Sequence, residues 1–321
     1  MPFQSSGGSI HFVQEVFAME QAKKNQLGGS LILLLTAFIW GSSFVAQSVG
    51  MEKIDSFTFN GIRTLMGAAA LIPLLIVLTL KKRKTDERTA EEKKRQRLHQ
   101  LKCGVICGLI LFTAGNLQQA AFHYSTPGKI GFLTAIYMLL VPIFGLAIKQ
   151  KPRARVWVTV VMGCFGAYLL CVSEKMSFGK GEVLAVSCAV FFAIHILYID
   201  HVVASVDSIW LSFTQFVVAG TLGVICMALF ETPVRADINA AIWPLLYSGV
   251  LSCGAAFTLQ IVGQRHTEPA VASILMCLES VFAVLTDWII LHNRLSLRQI
   301  LGCSIMFLAI IINNLPDKRK K

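Results

Sequence analysis

The chain has 321 residues, of which 55% are hydrophobic and 15% charged, with a mean hydropathy of +0.65. Soluble domains carry about 25% charged residues, so this chain has too little polar sequence to cover a globule in water. Its net charge of +11 is divided among short segments between apolar blocks, which argues against a nucleic-acid-binding patch.

Residues 1–27 are polar and show no cleavable signal peptide. Met19, followed by Glu20, Gln21, Ala22, Lys23 and Lys24, would make an ordinary start for an inner-membrane protein, so residues 1–18 are expected to be a dispensable extension or a misassigned start. Beyond them the apolar residues come in blocks. A helix of about 20 apolar residues matches the ~30 Å of hydrocarbon in a bilayer. Backbone in lipid must satisfy its own hydrogen bonds, so such blocks are helices. Ten spans are predicted, at 30–49, 56–80, 103–123, 127–148, 155–173, 183–204, 208–230, 241–263, 269–291 and 298–315. The expected fold is therefore an all-α integral membrane protein of ten transmembrane helices. All nine cysteines fall within these spans or at their edges, without metal-ligand spacing. They are expected to pack as small apolar residues, with no disulfide framework and no metal site.

With the N-terminus placed in the cytoplasm, the inner segments hold 21 basic residues and the outer ones seven. That excess is the positive-inside signature, and it puts both termini in the cytoplasm. The run 81–102 carries ten of the inner residues and is expected to be a solvated loop touching anionic headgroups. Asp86, Glu87, Glu91 and Glu92 interrupt it, and no aromatic residue interleaves it, which disfavours nucleic acid.

The chain also repeats itself. At an offset of 152, Trp40 meets Phe192, Asp55 meets Asp207 and Arg63 meets Gln215. After the long basic segment the offset falls to 142–143, where Ser125-Thr126-Pro127 resembles Thr267-Glu268-Pro269. Each triplet reads as a helix start with proline in its first turn. Residues 28–173 and 181–315 thus form two repeats of five spans, followed by a basic tail, 316–321. Five is odd, so the second copy enters the bilayer from the opposite face. Inverted repeats place a substrate site near the midplane between the copies and supply the two states of alternating access.

Polar residues at bilayer depth are costly and normally face the bundle interior. Arg63 lies about 10 Å into the second span, at 1.5 Å per residue. Glu279 lies near the midplane of the ninth, and Asp287, further along, reads as an interfacial or packing group. Glu279 could take up a proton or a substrate ammonium, or it could form a static pair with Arg63. Arg63 could equally recognise a carboxylate. The other cavity candidates are Trp40, Ser43, Gln47, Asn60, Asn116, Gln119, Tyr137, His195, Tyr198, Gln215 and Thr258; Gln118, Thr134 and Gln260 are further polar groups at this depth. Gln215 is the repeat counterpart of Arg63, and Tyr137 falls opposite Glu279 or Ser280. Gly104 and Gly108 form a GxxxG face suited to close helix packing. No Walker loop, nucleophile elbow or metal-spaced cluster is present, so neither an enzyme nor a cofactor is expected.

Several phrases resemble the EamA-like family of the drug/metabolite transporter superfamily: Trp40-Gly41-Ser42-Ser43, Arg63, Gly131 to Tyr137 with Val141-Pro142, and Leu278-Glu279-Ser280-Val281-Phe282-Ala283. The resemblance covers about residues 28–315. It implies a secondary transporter in the cell membrane, an exporter of a small metabolite, amino acid or drug-like compound, working as a monomer or homodimer. Ser280 stands where the family usually has proline. Gln150 and Asn293 stand near a glutamate that the family often carries. The rival reading is a non-transporting membrane scaffold, sensor or subunit of a larger complex, which the long basic run would favour.

Overall fold

The computed structural model describes residues 7–85, 88–125, 127–171, 179–291 and 296–314. Asn293, Arg294 and the basic tail 316–321 lie outside the described residues, as does the side chain of Asp287. The described residues form helices and their connections, with no strand among them. In chain order these are α1 (Gly7–Met51), α2 (Ser56–Thr85), α3 (Ala90–Ala121), α4 (Pro127–Ala135), α5 (Tyr137–Ala147), α6 (Ala154–Cys171), α7 (Lys180–Val202), α8 (Ser208–Phe230), α9 (Arg235–Ala240) and α10 (Ile242–Leu246). A π-wound segment (Tyr247–Phe257) follows, then α11 (Thr258–Gln264), α12 (Pro269–Met276), α13 (Glu279–Leu291) and α14 (Leu297–Asn314).

Eight helical stretches are long and apolar enough to cross a membrane, and Ala154–Leu170 and Leu297–Asn313 are shorter apolar helices. Leu31, Ile76, Val161, Leu229 and Ile311 are exposed on the outside of the bundle, as lipid-facing side chains are. No disulfide joins the described cysteines, and no metal-holding cluster occurs among the described residues.

The basic run 81–102 is not a loop for most of its length. α2 continues to Thr85, and α3 begins at Ala90. Thr89 caps α3: its hydroxyl accepts from the Glu92 N–H at 3.3 Å, and the Glu92 carboxylate accepts from the Thr89 N–H at 2.8 Å. This capping box satisfies two otherwise orphaned donors. It extends α3 well beyond its apolar part at what is here termed the basic end of the bundle.

Contacts between helices come in matched sets. α2 packs on α8 and α6 on α14; α3 packs on α7 as α11 and the π segment pack on α1. α4 and α5 pack on α7, as α12 and α13 pack on α1. Two apolar stretches break in the middle, α4 from α5 at Ile136 and α12 from α13 at Cys277–Leu278. The second break forms although Ser280 carries no proline ring. Gly41 lies against it: a Cβ there would strike the Glu279 carbonyl oxygen and come within 2.6 Å of the Phe282 Cβ. α1 can therefore approach the break at Gly41 and at no bulkier residue.

Gly104 and Gly108 do pack closely, on α8. A Cβ on Gly108 would fall 2.7 Å from the Val218 Cβ. Asp207 opens α8, accepting from the Ile209 and Trp210 N–H groups at 3.0 and 3.2 Å. At α2 the corresponding service comes from elsewhere: Glu231 accepts from the Phe57 and Thr58 N–H groups at 2.8 and 2.7 Å.

Candidate functional site

A cavity of about 70 Å³ lies between the helices of the bundle, room for several waters or part of a small solute. α1, α2, α3, α7 and α8 line it, together with the π segment, α11 and both broken helices; α6 and α14 contribute nothing to its wall. The residues of α2 and α3 that reach it, such as Asn60, Arg63, Phe112 and Asn116, set it nearer the end opposite the basic one. Towards the basic end it is floored by a packed layer that includes Cys103, Cys107, Ile199, Leu211 and Ile261.

Of the residues singled out from the sequence, Trp40, Ser43, Gln47, Asn60, Arg63, Asn116, Tyr137 and Glu279 stand on this wall, as do Gln118, Thr134 and Gln260. Gln119, His195, Tyr198, Gln215 and Thr258 do not. The Thr258 hydroxyl turns back to the Gly254 carbonyl at 2.7 Å. Gln119 is wholly buried with neither amide atom bonded. Ser252, Cys253, Thr64 and the rings of Phe44, Phe112, Phe192 and Phe257 also line the wall, though none was a cavity candidate from the sequence. Apolar rings at bilayer depth carry no sequence signal that separates a cavity wall from packing.

The two charged groups of the wall are Arg63 and Glu279, each less than one-tenth exposed. Arg63 donates from Nε to Asn60 Oδ1 at 2.7 Å, and its guanidinium carbon lies 5.5 Å from the centre of the Phe59 ring. Asn60 in turn accepts this bond while giving its amide to Asn116 at 3.2 Å. A neutral amide thus orients the cation. Among the described residues no ion pair joins Arg63 to Glu279. The static pairing is therefore absent here. Glu279 instead adjoins Tyr137, whose buried hydroxyl has no well-formed hydrogen bond.

Trp40 forms the aromatic side. Its indole N–H donates to the Ser252 carbonyl at 3.4 Å, and its ring meets Phe257 edge-on at 4.7 Å. The Ser252 hydroxyl accepts from Ser43 at 3.3 Å, and Gln47 donates to Ser43 at 3.1 Å. The π winding between Tyr247 and Phe257 brings these groups to α1. π segments of this kind occur often at functional sites. The cavity thus offers a cation, a carboxyl group, aromatic faces and a run of amides and hydroxyls. Such a set suits a small amphipathic solute, with apolar walls for its body and a few placed polar groups for orientation.

Three comparisons bear on this arrangement. The model of the EamA-like transporter family matches twice, over residues 27–172 and 179–315. An uncharacterized transporter of Archaeoglobus fulgidus is 27% identical over 312 residues, covering 95% of this chain and 91% of that protein. The uncharacterized transporter YoaV of Bacillus subtilis is 22% identical over 90% of this chain and 97% of its own length. The uncharacterized inner membrane transporter YedA of Escherichia coli is 24% identical over 89% of this chain and 90% of its own length. A solved crystal structure superposes with a TM-score of 0.73 at 16% identity, over 89% of this chain and 96% of that one. That likeness is one of fold.

Proposed function

We propose that this chain, which belongs to the EamA-like transporter family, is a secondary carrier for a small solute bearing a carboxylate and an ammonium beside an apolar body. It is a membrane protein of many apolar helices, and its family is one of transporters rather than enzymes.

One observation carries the reading of the solute: Arg63 and Glu279 share a cavity wall and leave each other unpaired. A buried charge without a partner is costly. A guanidinium and an ionisable carboxyl group on one wall are satisfied together by a solute that brings both opposite charges. Trp40, Phe192 and Phe257 offer its body an apolar surface.

The matched contacts support alternating access. α2 against α8, α6 against α14, and the paired sets around α1 and α7 are what two inverted five-helix halves would make. Exchange of conformations between such halves opens the shared site first to one side and then to the other. The excess of basic residues at one end, 21 against seven, supports cytoplasmic termini.

The test is flux in proteoliposomes. Radiolabelled leucine, phenylalanine, their amides, and a set of sugars and cationic dyes are loaded in turn, and counterflow exchange is followed. Exchange of the free amino acids, with much weaker exchange of the amides, supports the reading. Exchange of dyes or sugars alone refutes the zwitterion. No exchange of any solute by folded protein refutes the carrier.

A further inference from the structure

Two residues placed among the cavity candidates by sequence lie together outside the cavity, against a cysteine read from the sequence as a packing residue. His195 of α7 and Gln215 of α8 meet Cys107 of α3, and all three are completely buried. The His195 Nε2 lies 3.0 Å from the Gln215 Oε1, and the Cys107 thiol donates to the same oxygen at 3.1 Å. The thiol sulfur is 3.3 Å from Nε2. With Nε2 carrying the proton, both donors converge on one amide oxygen. Nδ1 is then a bare acceptor, and neither it nor the Gln215 amide nitrogen has a partner. Buried polar atoms of this kind ordinarily hold ordered water.

The trio does not stand alone. On its inner side the His195 ring meets Phe257 edge-on, 6.3 Å between centres, and Phe257 is itself a cavity wall residue. On its outer side Tyr198, one turn along α7, lies near the thiols of Cys103 and Cys107. Cys103 lies 3.7 Å from His99 Nε2, and His99 reaches the Ser205 hydroxyl at 3.0 Å. His99 and Ser205 are exposed at the basic end. His99, Cys103 and Cys107 recur every four residues, so they line one face of α3. A ladder of proton-bearing side chains thus runs up the seam between α3 and α7, through a layer otherwise packed with Ile199, Leu211 and Ile261.

We propose that this seam is a proton pathway between the basic end and the cavity, with His195 as its inner station. The inference rests on the carrier reading above. In the transfer step a hydronium ion in the seam gives a proton to Nδ1, forming one N–H bond and leaving water. The Nε2–H bond then breaks, its proton passing to a second water that becomes hydronium on the opposite side, and the ring returns to neutrality as the other tautomer. Rotation of the ring or the reverse transfer resets it. Gln215 steers the first tautomer by accepting from Nε2. The ionisable groups facing the seam are Cys103, Cys107 and His99 on α3 and Tyr198 on α7. α8 presents Gln215 and the π segment Phe257, which do not titrate. Arg265 closes the exposed end, its guanidinium on the Val203 and Val206 carbonyls at 2.8 and 2.7 Å.

The experiment uses full-length protein in proteoliposomes with a trapped pH dye and radiolabelled leucine and phenylalanine. Counterflow exchange needs no net proton movement; concentrative uptake driven by a pH gradient does. His195→Gln is expected to keep exchange within about twofold and to lose at least tenfold of proton-driven uptake and of dye response. Tyr198→Phe breaks a second rung and is expected to fall the same way, which covers a His195 variant that fails to fold. Proton-driven uptake at the wild-type rate in both variants overturns the pathway while leaving the carrier intact. Parallel loss of exchange and uptake in folded variants also overturns it, making the trio a packing joint. Wild-type exchange without proton movement overturns it as well. Absence of any exchange by folded wild type overturns the carrier reading and the pathway with it.

Discussion

Tyr137 and Glu279 hold equivalent places in the two halves of the chain and adjoin one another across the cavity wall. Each is the first residue of the second part of a broken helix, α5 and α13, and each broken helix opens with a proline, Pro127 and Pro269. Backbone at such breaks is tolerated at membrane depth where it lines a cavity or is buried in protein. One half of the chain therefore brings a phenol, and the other a carboxyl group, to the same depth. The two copies share a frame and differ in chemistry at the break that reaches the cavity wall.

That difference makes Glu279 the group whose loss should be felt in coupling. Glu279→Gln keeps the shape and removes the ionisable group, so it is expected to weaken exchange of the ammonium-bearing solute and to abolish any dependence of flux on an imposed pH gradient. Tyr137→Phe removes one hydroxyl that has no well-formed bond and is expected to weaken flux by less than tenfold. Initial rates in proteoliposomes, with and without the gradient, check both. A Glu279→Gln protein with gradient-driven flux at the wild-type rate would reduce the carboxyl group to a packing role.

The close crossing of α3 and α8 sets up a stability test. Gly104 and Gly108 face Thr214 and Val218 with no room for a side chain, whereas a Cβ on Gly131 would meet nothing within 4 Å. Gly108→Leu is expected to cost about 1–3 kcal/mol or more through overpacking. Gly131→Ala, within α4, is expected to be neutral or to gain about 0.5–1 kcal/mol from lower backbone entropy. Thermal unfolding of the detergent-solubilised variants reads the difference. Equal melting temperatures would contradict the packing.

Much of this architecture was legible in the sequence because lipid imposes simple rules. Long apolar blocks, prolines at 127 and 269, and rare polar residues at depth needed no structure to be noticed. Trp40, Arg63, Tyr137 and Glu279 stand on one wall. Which way a polar residue turns was not legible. His195 and Gln215 lie at the same depth as wall residues, but the rotation of α7 and α8 gives them to a joint with Cys107. The π winding at 247–257 was also hidden, since its residues are as apolar as their neighbours. The helical start of α3 carried a readable signal in Thr89-x-x-Glu92; the density of charge around it suggested a loop instead.

Residues 81–102 separate the carrier from its rival. Thr89→Ala removes the cap of α3 and is expected to cost about 1 kcal/mol at that end, frayed into water and far from the cavity. It should leave exchange unchanged. Excision of 82–88 with a short flexible replacement is likewise expected to leave exchange within about twofold, provided labelling shows the same topology. A subunit that docks through this segment would lose its partner on excision, and pull-down from native membranes would show it.

Arg63 gives the most discriminating prediction, since stability and activity should move in opposite directions. Its guanidinium is buried with a neutral amide and an aromatic ring as partners, and a buried cation without a counter-charge opposes folding. Arg63→Gln removes that charge, keeps a donor for Asn60, and is expected to raise the unfolding temperature in the absence of solute. A charge-assisted bond to a carboxylate contributes about 1.5–3 kcal/mol. At about 1.4 kcal/mol per tenfold, its loss should weaken apparent affinity for leucine by about 10- to 150-fold. The amide of leucine offers Arg63 no carboxylate, so its weak exchange should hardly change. Lower stability with unchanged affinity would identify Arg63 as a structural group and would remove the carboxylate from the proposed solute.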